Sequence, residues 1–196
     1  MKIRKIFPLL FLATLGFVSC GDDDDLVPED QPVELSYDGA NVTAPLLEPG
    51  EYELAARFAN EELSQLRDRK LSAVQFFMGP KPPTLKVRVS GPGTATEPGN
   101  ILYEFDLSNN NSLQEQAFNE LPVDPPLDLP SEMWLSVFFT VEGNAAQNIG
   151  CDGGPADPNG DFVYDSNVGT WETWRQRTNG NESVNWNLRA ILTNEE

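Results

Sequence analysis

The sequence predicts an all-β fold: a β-sandwich of jelly-roll type with one short helix, preceded by a signal peptide and a disordered tether. Three observations carry that prediction. Apolar residues in the second half of the chain and before it recur with period two, the spacing that lines one face of a strand. Clusters of Gly, Pro and Asn separate these runs, as turns between short strands require. Only one stretch shows helical spacing. Several short alternating strands joined by turn-rich segments read as a sandwich.

The elements follow in order. Glu51 to Phe58 places Tyr52, Leu54, Ala56 and Phe58 on one face. Leu71 to Met78 aligns Val74, Phe76 and Met78. Thr84 to Ser90 sets Leu85, Val87 and Val89 against Lys86 and Arg88, and Ile101 to Leu107 sets Ile101, Tyr103, Phe105 and Leu107 against Glu104 and Asp106. Met133 to Val141 is apolar almost throughout, as suits a central strand covered on both sides. Val184 to Leu192 alternates again through Val184, Trp186, Leu188, Ala190 and Leu192. The helix is expected after Asn60 as N-cap, with Glu61 and Glu62 at the positive end of its dipole and Leu63 and Leu66 as an apolar stripe. Segments Gly91 to Asn100, Leu121 to Ser131 and Gly143 to Gly160 are rich in turn residues and are expected as loops. No internal repeat is present.

The first 32 residues have a different character. Lys2, Arg4 and Lys5 precede an apolar run of 13 residues, Ile6 to Val18. A spanning helix needs about 20 such residues, so the run is a signal h-region. Three segments result: a signal peptide over 1–19, Cys20 with an acidic flexible tether over 20–32, and the sandwich domain over 33–196. From Asp22 to Pro32 the chain is acidic and proline-broken, with the composition of a disordered segment. Its 11 residues reach at most about 35–40 Å.

Charge and composition exclude several functions. The 196-residue chain has 31 acidic and 13 basic side chains, a net charge of −18, and cleavage before Cys20 takes it to −21 by removing three cations. Phosphate backbones need clustered Lys and Arg, so nucleic acid is not an expected partner. The chain has no histidine, which removes Ser/His/Asp triads, Cys/His pairs and histidine zinc sites. A carboxylate pair, as in glycosidases, stays chemically open, but no spacing singles out two acids. The chain is therefore read as a non-enzyme. Cys20 and Cys151 are the only cysteines. Cys151 has no Lys or Arg nearby in sequence to hold a thiolate, and it reads as a buried small hydrophobe.

Two candidate sites remain. Asp152, Asp157, Asn159 and Asp161 lie in one Gly/Pro-rich loop and offer hard oxygens for Ca²⁺. Phe162 stands where an EF-hand loop needs Gly, and the same residues serve tight turns equally well. No other cofactor is expected. Trp171, Trp174 and Trp186 could stack on a sugar. Trp171 and Trp174 are three apart, so on one strand they would point to opposite faces, one outward and one into the core.

Phe17, Val18, Ser19 and Cys20 resemble the lipobox of bacterial lipoproteins, which implies lipidation of Cys20 and a membrane anchored through it. The run Asp22, Asp23, Asp24 and Asp25 resembles the surface-export signal of Bacteroidota lipoproteins, implying an outer-membrane lipoprotein exposed at the cell surface. More than one acyl chain is what stable residence requires.

From Tyr52 to Leu192 the chain resembles β-sandwich modules of Bacteroidota surface lipoproteins and secreted peptidases, themselves similar to cleaved-adhesin and galactose-binding-like jelly rolls. The residues that carry the likeness are Ala55–Phe58, Lys70, Leu71 and Val74, Ile101–Tyr103, and Trp134. They continue with Gly150–Pro155, Gly169–Trp171 and Asn185–Arg189. The resemblance implies a non-catalytic binding or adhesion module for protein or glycan partners, with a glycan-binding accessory role in polysaccharide uptake as the alternative. It also implies that Trp171 and Trp186 are packed, which leaves Trp174 as the ligand contact.

Overall fold

The computed structural model describes residues 31–194. The signal peptide, Cys20 and nearly all of the tether lie outside the described residues.

Ten strands form two antiparallel sheets. In chain order they are β1 (Val33–Leu35), β2 (Gly50–Phe58), β3 (Arg69–Met78), β4 (Leu85–Ser90), β5 (Ile101–Asp106), β6 (Ala117–Asp128), β7 (Met133–Val141), β8 (Phe162–Asp165), β9 (Thr170–Thr173) and β10 (Leu188–Asn194). One sheet has the order β1-β10-β3-β6, the other β5-β4-β7-β2-β8-β9. Their inner faces enclose one core of buried residues, including Leu54, Phe58, Val74, Phe76, Val87, Leu135, Phe139, Trp186 and Leu188. The all-β sandwich expected from the alternation is what the chain forms.

The inward sets follow the period-two pattern strand by strand. Tyr52, Leu54, Ala56 and Phe58 of β2 are all buried, as are Leu85, Val87 and Val89 of β4. β7 sits third in the six-stranded sheet and is covered on both faces near its start. Met133 and Leu135 enter the main core, whereas Trp134, on the outer face, is fully buried with Ala55 and Phe162. Over Ile101–Leu107 the pattern fails at its first position alone: Tyr103, Phe105 and Leu107 pack inward, but Ile101 is 52% exposed beyond a register shift at Ser90.

Leu121 to Ser131, expected as a loop for its four prolines, is a strand over most of its length. β6 runs through Pro122, Pro125 and Pro126 while Leu121 and Val123 point inward and are buried. It is the last strand of its sheet, so one side of its backbone has no neighbour to miss the absent N–H groups. The register against β3 shifts between Leu71 and Ala73, beside Pro122.

The first helix, α1 (Asn60–Leu63), extends into a 3-10 turn, Ser64–Leu66. Its N-cap is Ala59 and not Asn60: the Glu62 carboxylate accepts from the Ala59 N–H at 2.8 Å, which supplies the cap interaction without a polar residue at the cap itself. A second single turn, α2 (Trp174–Arg177), follows β9 directly; Thr173 caps it, accepting from the Gln176 N–H.

Candidate functional site

The residues singled out in the sequence converge on two places with different chemistry. The first is a buried polar clamp that ties the Gly143–Gly160 segment to the sheet. Asp152 is its centre. One carboxylate oxygen accepts from the backbone N–H groups of Asn185 (2.7 Å) and Gly154 (2.8 Å). The other accepts from the Asn185 side-chain amide (3.0 Å) and the Gly39 N–H (3.2 Å). Burial pushes the Asp152 carboxyl up, but these bonds outweigh it and hold the group below its ordinary value.

Asn185 in turn accepts from the Asp157 N–H at 2.7 Å, and Asn187 donates to Asp38 at 2.6 Å. Arg189 grips Asp38 with Nε and Nη2 while its guanidinium lies 4.2 Å from the Phe118 ring centre. Between them Trp186, with no exposure, donates from Nε1 to the Phe162 carbonyl at 2.8 Å. The Cys-Asp-Gly-Gly-Pro and Asn-Trp-Asn-Leu-Arg stretches are therefore halves of one fastening. Cys151 lies inside it, bridging to both Thr43 and Trp186. Its thiol is pushed up to about 12, chiefly by burial and further by Asp152 and Glu182, which is the chemistry of an inert buried thiol.

The calcium candidates are each committed to protein bonds of their own. Asp152 is spent in the clamp. Asp157 accepts from the Asn159 N–H two residues on, closing a local turn, and the Asn159 carbonyl accepts from the Arg57 N–H. Asp161 is fully buried and accepts from the Arg175 N–H (3.1 Å) and Nε (3.2 Å). Burial raises its carboxyl, with Arg175 offsetting part of the effect. Among the described residues, no three acidic, Cys or His side chains come together as a metal site. The loop uses Asp and Asn as turn residues, and a shared calcium cradle is not the arrangement the four side chains adopt.

The tryptophan assignment fails at Trp174, while Trp186 and Trp171 pack as the resemblance implies. Trp174, expected as the exposed contact, is only 7% exposed. It packs edge-on against Trp186, ring centres 5.7 Å apart, and spends its indole N–H on Glu182. Trp171 is the half-buried one. The physical reason is that the two do not share a strand: β9 ends at Thr173, and the turn of α2 swings Trp174 beneath the sheet edge.

The second place is the outer face of the six-stranded sheet. Cross-strand pairing sets one row running Asp106, Lys86, Phe138, Glu53, Tyr164 and Trp171 from β5 to β9. The next row includes Glu104, Arg88, Ser136, Ala55 and Phe162. Arg88 bridges Glu104 and Glu53, each at 2.8 Å, and Ser136 donates to Glu53 at 2.6 Å. Lys86 joins Glu104 at 2.9 Å, while Arg57 and the Trp134 indole both hold Glu132. The charged half of the face thus carries two bonded groups, and the other half is aromatic, with Trp171 and Tyr164 in contact at 5.7 Å between ring centres. The alternation in Thr84–Ser90 and Ile101–Leu107 shows Lys86, Arg88 and Glu104 pointing outward. Nothing local places Glu53 or Tyr164 beside them.

A third feature is a ridge at residues 42–46. Val42 and Leu46 are 67% and 65% exposed, with depressions of about 530 and 440 Å³ on either side. Trp174 and Cys151 reach the wall of the smaller one.

No protein-family model matches the chain, and no curated protein matches it. Among solved structures it is similar to a clostridial cysteine protease, Cwp84, after propeptide cleavage, with a TM-score of 0.58 and 11% identity. The match covers 84% of this chain and 40% of that one, so the chain spans well under half of the protease's length. At that identity the likeness shows the fold: an all-β sandwich of a kind that also occurs within a peptidase chain.

Proposed function

We propose that this chain is a surface-anchored lipoprotein, held by acyl chains on Cys20, whose sandwich is a non-catalytic binding or adhesion module. One observation carries the reading. The buried ionisable groups suggested by sequence are tied into scaffold bonds, while partly exposed polar and aromatic groups, Glu53, Lys86, Arg88, Glu104, Tyr164 and Trp171, lie across one sheet face and are held by side-chain contacts. That is the form of a recognition surface, where side chains are positioned before the partner arrives. The likeness to part of a protease chain accords with an accessory module, and the resemblance at Cys20 supplies the anchor.

The test has two arms. In the native host, wild type should partition with the outer membrane and be removed from intact cells by added protease; Cys20→Ala should appear in the soluble fraction. Beads coated with the mature protein should adhere to cells or matrix material. Membrane partition unchanged by Cys20→Ala sinks the anchor, and beads that adhere to nothing sink the module.

A further inference from the structure

We propose that the outer face of the six-stranded sheet binds a neutral glycan, with Trp171 and Tyr164 as the stacking platform and Glu53 and Arg88 as hydroxyl partners. The inference rests on the binding-module reading and names its ligand class and site.

Four features point to that chemistry. The first is the aromatic end. Trp171 and Tyr164 face each other across β8 and β9, half-buried, their planes tilted by 44°. Behind them Trp134 and Phe162 are buried on the same face, so Trp171 rests on a small secondary core and is held in place. A rigid aromatic ring with an apolar body is the side chain that gains most from stacking at low entropic cost.

The second is the polar end. Glu53 is opposite Tyr164 in the ladder, and its oxygens are fixed by Ser136 and Arg88. A carboxylate and guanidinium held by one another present acceptors and donors side by side, which is what pairs of sugar hydroxyls require.

The third is spacing. Strands lie about 4.8 Å apart, so the row from Trp171 to Asp106 crosses six strands over about 24 Å, with a side chain at each sugar-sized step.

The fourth is charge. The chain carries 31 acidic and 13 basic residues, yet Arg57, Lys86 and Arg88 on this face are each matched to a carboxylate. The β8 and β9 positions facing outward, Phe162, Tyr164, Trp171 and Thr173, carry no charge. A face whose cations are each already paired, on a strongly acidic molecule, offers no free cation to an anion and favours an uncharged ligand. An anionic glycan meets the repulsion of the whole chain.

The experiment uses the mature domain behind its tether, in affinity electrophoresis through gels containing one soluble polysaccharide each. Neutral probes are β-glucan, mannan, xyloglucan and galactomannan; the anionic probe is polygalacturonate. Wild type should be retarded by at least one neutral probe and not by polygalacturonate. Trp171→Ala should weaken retardation about tenfold, the weight of one central aromatic contact, while Trp171→Phe keeps part of it. Glu53→Gln tests the polar end with the fold intact, and circular dichroism and melting confirm that each variant is folded. Leu46→Ser, outside the six-stranded sheet, should bind as wild type.

Retardation by no neutral probe overturns the proposal, as does wild-type binding by folded Trp171→Ala or loss confined to Leu46→Ser. The bead assay separates the two levels. Adhesion abolished by periodate treatment of the target, which cleaves vicinal diols, supports the glycan. Adhesion that survives periodate and is lost on protease treatment of the target overturns the glycan and leaves a protein-binding module. Adhesion to nothing removes both.

Discussion

Replacing Asp152 with Ala asks whether the 143–160 segment is fastened by a carboxylate or organised around an ion. The carboxylate takes four N–H donors, from Gly39, Gly154 and twice from Asn185. The Asn185 side-chain amide keeps a second acceptor in the Pro155 carbonyl. The Asn185 backbone N–H is buried and would be stranded, at about 1–3 kcal/mol. The Gly39 and Gly154 N–H groups are partly accessible to water, and losing their ionic acceptor adds roughly 0.5–1 kcal/mol each. Asp152→Ala should therefore cost about 2–5 kcal/mol, a large fraction of the roughly 5–15 kcal/mol that stabilises a domain. With a urea slope of about 2–3 kcal/mol/M, the midpoint falls by about 1–2 M.

The sign with pH is determined by the depressed carboxyl. Its contribution is complete above the unfolded value of about 3.9 and is lost as pH falls below it toward the lower folded value. The gap between wild type and Asp152→Ala should be wide at pH 7 and narrow toward pH 3. Millimolar Ca²⁺ or a chelator should move neither midpoint. A loss under 1 kcal/mol, a gap that does not change with pH, or a wild-type midpoint raised by Ca²⁺ would mean that Asp152 does not fasten the segment through these bonds.

Three further outcomes follow from the same geometry. A Cβ on Gly150 would lie 2.2 Å from Asn41 Oδ1 and 2.7 Å from a Phe77 ring carbon, so Gly150→Ala should lower the melting temperature by an amount worth about 1–3 kcal/mol. Cys151, with its thiol at about 12 and 2% exposure, should resist a disulfide reagent at pH 8 in the native state and react fully in urea; fast native labelling would contradict its burial. Arg189→Lys keeps the charge but loses the fork on Asp38 and the contact over Phe118. It should cost about 1–2 kcal/mol by chemical denaturation, and a neutral result would reduce the pair to surface electrostatics.

The strands were legible wherever local chemistry had a period. Thr84–Ser90 and Glu51–Phe58 alternate because one face of each meets the core, and no long-range information is needed to see it. β6 was hidden because its prolines signal a break, and only its place at the sheet edge makes them harmless. Asp152, Asn187 and Arg189 stood out in the sequence, but they fasten to Gly39 and Asp38, more than a hundred residues away. From composition alone, a carboxylate that receives backbone amides is indistinguishable from one that receives a metal.

The class of fold, the lack of histidine-based chemistry, the acidity and the expectation of an anchor at Cys20 all depend on composition or on neighbours a few residues apart. Which tryptophan reaches the outer face depends on long-range packing. Trp171 and Trp174 differ by three positions and would occupy opposite faces of any continuous strand. A helical turn capped by Thr173 begins between them, sends Trp174 onto Trp186, and leaves Trp171 on the outer face beside Tyr164. Cross-strand neighbours are set by which strands pair and in what register, and that pairing is a property of the whole chain.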